Sequence, residues 1–285
     1  MKVGLILEGG AMRGIFTAGV LEYMLKEDFR PDAVYGVSAG ACHGCSFVCG
    51  QKGRAYAVAT DYVGDPAYAS FRSLRKTGDF FGADFIYHKI PEELYPIDNE
   101  AFKERGIEFR VAVTNCATGQ AEYPQVRDMF KDIDWVRASA SMPVFARMVP
   151  MAEGVYLDGG IADSIPLKAA QEAGCGLNIV VLTQPRDYVK KPAKSPFAAL
   201  VKAKYRRYPE MLKTLERRAE IYNEETAYIF DQEKQGNTFV VAPVKPLGIS
   251  RLEMDKAKLR RAYLEGYYVM EALWPNLKKF LEERR

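Results

Sequence analysis

The sequence predicts an α/β fold, a parallel sheet covered by helices. Two observations carry this. The first fifty residues alternate strand, loop, helix, strand, turn, helix, the succession that builds parallel strands with helical crossovers. The strand candidates at 3–7 and 178–183 are continuous apolar runs, as strands buried on both faces are.

The elements follow from the spacing of apolar residues. Residues 3–7 form a short apolar run closed by glycines, a first buried strand. Over 15–26, Phe16, Val20, Leu21, Met24 and Leu25 recur at helical spacing. Residues 33–36 read as a second strand, and 39–49, rich in small and apolar residues, as a buried helix. Residues 53–105 are irregular, with Tyr56, Tyr62, Tyr68, Phe71, Phe80, Phe81, Phe85 and Tyr87 among Gly and Pro. They predict short helices and loops whose rings either wall a pocket or simply pack. Residues 107–114 alternate apolar and polar, as a strand does, and 120–123 can pair back onto them across a turn. A helix is predicted at 132–141, ending before Pro143, and a short strand at 155–157 leads into Asp158-Gly159-Gly160. The helix at 167–173 stops at Gly174, and the apolar strand 178–183 follows.

Composition shifts near residue 186. A Lys- and Pro-rich loop at 186–196 precedes a long basic helical stretch at 198–230. A last strand is predicted at 238–242, then helices at 252–273 and 276–285 divided by Pro275. The organisation is thus an α/β core over 1–185 and a mostly helical C-terminal region over 186–285 packed on it.

The chain has 285 residues, 48% hydrophobic and 27% charged, enough for a large core and unlike a disordered chain. Forty basic and 37 acidic residues leave a net charge of +3, too small to argue for nucleic acid as a partner. No apolar run reaches the ~18 residues of a transmembrane helix, and the N-terminus lacks the apolar stretch of a secretory signal. The expected location is the cytoplasm. Peripheral membrane contact through 198–230 is the alternative to a solvated basic helix face, the commoner fate of such a charge run.

Five cysteines, an odd number, argue against a disulfide framework. Cys42-His43-Gly44-Cys45 has redox and metal-ligand spacing, but no second pair completes a metal site. The segment is apolar and continues to Cys49 at helical spacing, which favours buried small residues.

Three constellations carry chemistry. Gly36-Val37-Ser38-Ala39-Gly40 is Gly-x-Ser-x-Gly between a predicted strand and helix. Small residues at Gly36 and Gly40 let strand and helix pass closely while Ser38 projects its hydroxyl. The bland alternative is a glycine-rich turn around a buried serine. A Ser–His–Asp triad needs a late histidine, yet the only two are His43 and His88. His43 lies within the helix leaving the turn, directed away from the hydroxyl. Asp158, at a strand end before two glycines, is the alternative base, set against an ordinary Asp-Gly turn. Glu8-Gly9-Gly10-Ala11-Met12-Arg13-Gly14 offers backbone N–H groups to an anion, either a nucleotide phosphate or an acyl oxyanion. Neither the dinucleotide fingerprint nor the P-loop is complete there. Arg13 orients the loop, binds an anion, or forms a surface salt bridge.

Together with Ala138-Ser139-Ala140-Ser141-Met142-Pro143, these blocks resemble the patatin-like phospholipase family over about residues 3–182. Pro246-Leu247-Gly248-Ile249-Ser250-Arg251-Leu252-Glu253 is similar to its bacterial cytosolic branch. The resemblance implies a three-layer α/β/α fold with a mainly parallel central sheet and a helical C-terminal extension. It implies a lipid acyl hydrolase, acting on lipid or other acyl esters through a Ser–Asp dyad, with no cofactor or metal. By position, Ser38 is the nucleophile, Asp158 the base, and the N–H groups of Gly9, Gly10, Ala11, Met12, Arg13 and Gly14 form the oxyanion hole. Two departures stand out: the family's third consecutive glycine is Ala11, and its preceding Asp is Glu8. If the third position needs φ > 0, Ala11 is strained. The competing readings are a nucleotide- or phosphate-binding protein, a catalytically weak regulatory member of the fold, and a Cys-x-x-Cys redox protein.

Overall fold

A computed structural model describes residues 1–192 and 198–284. In chain order it contains β1 (Lys2–Leu7), α1 (Ile15–Lys26), β2 (Ala33–Val37), α2 (Ala39–Val48), α3 (Arg54–Thr60), α4 (Phe71–Thr77), a π-helical stretch Phe85–Leu94, α5 (Asn99–Arg105) and β3 (Glu108–Asn115). There follow β4 (Ala121–Glu122), β5 (Gln125–Val126), α6 (Ile133–Ser139), β6 (Val149–Met151), β7 (Gly154–Asp158), α7 (Leu167–Glu172), β8 (Cys175–Val181), α8 (Ala198–Lys204), α9 (Pro209–Lys234), β9 (Thr238–Val241) and α10 (Lys256–Glu282).

The sheet runs β6-β7-β3-β2-β1-β8-β9. From β3 to β9 neighbours are parallel, with Leu5 of β1 opposite Val34 of β2 and Ile179 of β8. β7 joins β3 antiparallel, and β6 pairs with β7. Alternate residues of β1 serve opposite layers. Val3, Leu5 and Leu7 meet Phe16, Val20 and Met24 of α1, Phe47 of α2 and Met270 and Leu277 of α10. Ile6 faces Leu167 and Ala170 of α7 and Tyr222 and Ile229 of α9. Helices therefore cover both faces, and the fold is the expected three-layer α/β/α sandwich. β9 extends the sheet edge, so residues after 186 contribute to all three layers.

Two expectations about the C-terminal part change. Pro275 does not divide two helices, since α10 runs through it. The lost N–H costs ~3 kcal/mol. Burial of Met270, Trp274, Leu277, Phe280 and Leu281, each worth about 1.5–3 kcal/mol, offsets it. The predicted helix at 198–230 is two, α8 and α9, because Pro209 takes the first position of α9, where no N–H is needed. Within the basic stretch Lys202, Lys213 and Arg217 pair with Glu216, Glu210 and Glu220. Residues 193–196 of the predicted loop, and Arg285 of the last predicted helix, lie outside the described residues. Among those described, no helix is long and apolar enough to cross a membrane.

Candidate active site

The carboxyl ends of β1, β2 and β7 meet at one edge of the sheet. Ser38 sits on the elbow between β2 and α2 with φ +54° and ψ −120°. A Cβ on Gly40 would lie 2.5 Å from the Leu7 carbonyl oxygen, so only glycine lets α2 start this close to β1. The Ser38 N–H donates to Ser139 Oγ at 2.9 Å, a buried bond that holds the strained backbone.

Ser38 Oγ donates to Asp158 Oδ2 at 2.8 Å. Ser38 is 6% and Asp158 5% exposed. The other carboxylate oxygen, Oδ1, accepts the Gly160 N–H at 2.8 Å. Thr114 Oγ1 donates to the Asp158 carbonyl at 2.8 Å, and the Asp158 N–H to the Ser141 carbonyl at 3.0 Å. Burial pushes the Asp158 carboxyl above the usual aspartate range, opposed by the Arg218 charge and by the Ser38 and Gly160 hydrogen bonds. The arrangement suits a carboxylate that takes a proton from a serine hydroxyl.

Among the described residues neither histidine bonds to this pair. His88 is exposed and faces Glu92 at 3.3 Å. His43 is not directed away from the site; it lines the same cavity as Ser38. Ser38 lies on the elbow and not in the helix, so helical spacing does not set their relative directions. Among the described residues His43 makes no hydrogen bond, and burial pushes its imidazole down to about 4, which keeps it neutral.

The glycine turn presents fewer free donors than the sequence suggests. Gly9 N–H donates to the Ser164 carbonyl at 3.3 Å and Arg13 N–H to the Gly10 carbonyl at 3.1 Å. Gly14 lies within the 3₁₀ turn Ala11–Gly14, where N–H groups bond three residues back. Of the six candidate residues, Gly9, Arg13 and Gly14 are therefore committed internally. The N–H groups of Gly10, Ala11 and Met12 have no backbone partner among the described residues. Ala11 has φ +47°, so the departure from glycine falls where the backbone is left-handed. Arg13 forms no salt bridge among the described residues, and its buried Nε lacks a hydrogen-bond partner. Glu8 points to the far side of the turn, accepting from the Thr183 N–H and from Tyr222 OH.

Beside Ser38 opens a largely apolar cavity. Ala11 and Met12 line it with Ile15, Val58, Ile86 and, among the predicted rings, Tyr68, Phe81 and Tyr87. Tyr62 instead packs on Phe85, and Phe71 on Phe80. Cys42 also lines the cavity, while Cys45 and Cys49 are buried; all five cysteines are free. Burial pushes the Cys42 thiol up to about 11, so it holds its proton at neutral pH, contrary to what a redox pair needs.

Sequence reasoning assigned no role to Thr114, Ser139, Arg218, Tyr222 or Glu225. Ser139 lies in the block 138–143, where only the resemblance signalled it. Arg218, Tyr222 and Glu225 recur at helical spacing, a polar stripe that reads equally as a solvated face.

A family model described as patatin-like phospholipase matches residues 5–170, more than half of the chain. A domain of unknown function, DUF6363, matches residues 208–282. The uncharacterized protein YjjU of Escherichia coli (strain K12) is 31% identical over 196 residues, covering 67% of this chain and 54% of that protein. This chain therefore spans about half the length of that relative. The crystal structure of VipD from Legionella pneumophila aligns with a TM-score of 0.47 at 13% identity, over 96% of this chain and 67% of that one.

Proposed function

The chain belongs to the patatin-like phospholipase family, and on that premise we propose that it hydrolyses acyl esters, lipid esters foremost, through Ser38 and Asp158. The observation that carries this reading is the 2.8 Å hydrogen bond from Ser38 Oγ to Asp158 Oδ2 beside an apolar cavity. The acyl chain occupies the cavity, whose polar lining is sparse. Asp158 takes the hydroxyl proton as Ser38 Oγ bonds to the acyl carbon. The resulting oxyanion faces the free N–H groups at Gly10, Ala11 and Met12, a donor of this kind being worth ~2.7–4 kcal/mol. The intermediate collapses, the C–O bond to the alcohol breaks, and the alcohol leaves with the proton from Asp158. Water then attacks the acyl-enzyme, giving its proton to Asp158, and the acid departs as Ser38 regains its hydroxyl.

The test is hydrolysis of p-nitrophenyl butyrate and p-nitrophenyl decanoate by wild type and Ser38→Ala. Wild-type turnover with a silent variant is the expected result. A Ser38→Ala variant as active as wild type overturns the assignment.

A further inference from the structure

The region of unknown function reaches the candidate site through one helix. Along α9, Arg218, Tyr222 and Glu225 fall on one face, and each bonds to a different part of the core. Arg218 Nε donates to the Gly160 carbonyl. Tyr222 OH donates to Glu8 Oε1 at 2.9 Å, below the glycine turn. Glu225 accepts the Ser164 N–H at 3.1 Å, and the Ser164 carbonyl in turn accepts the Gly9 N–H.

Arg218 has the most direct line to Asp158. Gly160, whose carbonyl it holds, is the residue whose N–H donates to Asp158 Oδ1. A Cβ on Gly160 would meet Asp158 Oδ1 at 3.1 Å and Arg218 Nη2 at 3.2 Å, so guanidinium and carboxylate flank one point. Among the described residues no carboxylate comes within salt-bridge distance of Arg218. Its charge is therefore not spent on a surface pair.

We propose that Arg218 is a positioning residue for Asp158: it holds the Gly159–Ile161 turn whose N–H orients the carboxylate, and its fixed positive charge favours the ionised base. This rests on the Ser38–Asp158 reading above. Besides Arg218 and the Gly160 N–H, the groups acting on Asp158 are Ser38, Arg251 and the thiol of Cys42. Those acting on Arg218 are Asp158, Arg251, Glu225, Arg13 and Lys190. Among the described residues, Arg218 alone of these cations also bonds to the turn that orients the carboxylate.

The test is the pH profile of kcat/KM for p-nitrophenyl butyrate in wild type, Arg218→Lys and Arg218→Gln, with Ser38→Ala as control. Without the cation Asp158 protonates more readily, so the acid limb moves to higher pH, in the order wild type, Lys, Gln. Arg218→Gln loses roughly tenfold or more on the acid limb and less on the alkaline side of the profile, a split that simple loss of folded enzyme does not produce. An Arg218→Gln profile that superimposes on wild type overturns the proposal. If that variant does not fold, an Arg218→Lys profile that superimposes on wild type overturns it instead. A Ser38→Ala enzyme that still turns over sinks the underlying dyad and not Arg218 alone.

Discussion

Ala11 and Ser38 both have a positive φ, +47° and +54°, and both line the same cavity. Such a conformation costs a non-glycine residue roughly 1–3 kcal/mol. It persists where surrounding bonds over-determine it, as the Ser139 acceptor does for Ser38. The candidate nucleophile and the turn that faces it are thus both strained.

Ala11→Gly should relieve the turn. Gly loses more chain entropy on folding, so the net gain is small, about 0.5–1 kcal/mol, with esterase activity retained. Differential scanning calorimetry reads this as a rise of about 1–3 °C. A variant that melts lower would show that the turn does not favour glycine.

Ser139→Ala should leave the Ser38 N–H buried without its acceptor. The expected cost is about 1–3 kcal/mol in urea unfolding, with kcat falling as the elbow relaxes. Unchanged stability together with unchanged kcat would remove Ser139 from the account.

The pH profile should report a carboxylate and no histidine. Asp158 acts as base only when ionised, and burial raises its pKa. Activity should therefore fall as pH drops through a value above the ordinary aspartate pKa of 3.8. Asp158→Asn should fold and lose most of the rate. A wild-type rate in that variant would assign the base elsewhere.

His43 should make the fold acid-sensitive. Its pKa falls from 6.5 to about 4 on folding, so the unfolded chain binds the proton first as pH drops. The stabilisation is complete above 6.5 and is lost as pH falls toward 4. Because the ring keeps some solvent contact, about 1–3 kcal/mol is at stake. The stability difference between wild type and His43→Gln, measured by urea unfolding at pH 7 and pH 4.5, should shrink by that amount at the lower pH. A pH-independent difference would contradict a buried neutral imidazole.

The family resemblance supplied Asp158 as the candidate partner of Ser38, while the sequence by itself determined the layered α/β architecture and the elbow around Ser38. These rest on local rules: apolar runs make buried strands, and glycines at 36 and 40 mark a close strand–helix crossing. The near absence of histidine turned attention to a carboxylate. Only the tertiary structure decided which N–H groups of the glycine turn are free, because Gly9 finds its acceptor at Ser164, far along the chain. It alone carried α10 through Pro275, where packing outweighs a lost hydrogen bond. It alone turned Arg218, Tyr222 and Glu225 toward Gly160, Glu8 and Ser164. A polar stripe on a helix looks the same in sequence whether it meets water or a buried carbonyl, and only the packing of α9 against the sheet distinguishes the two.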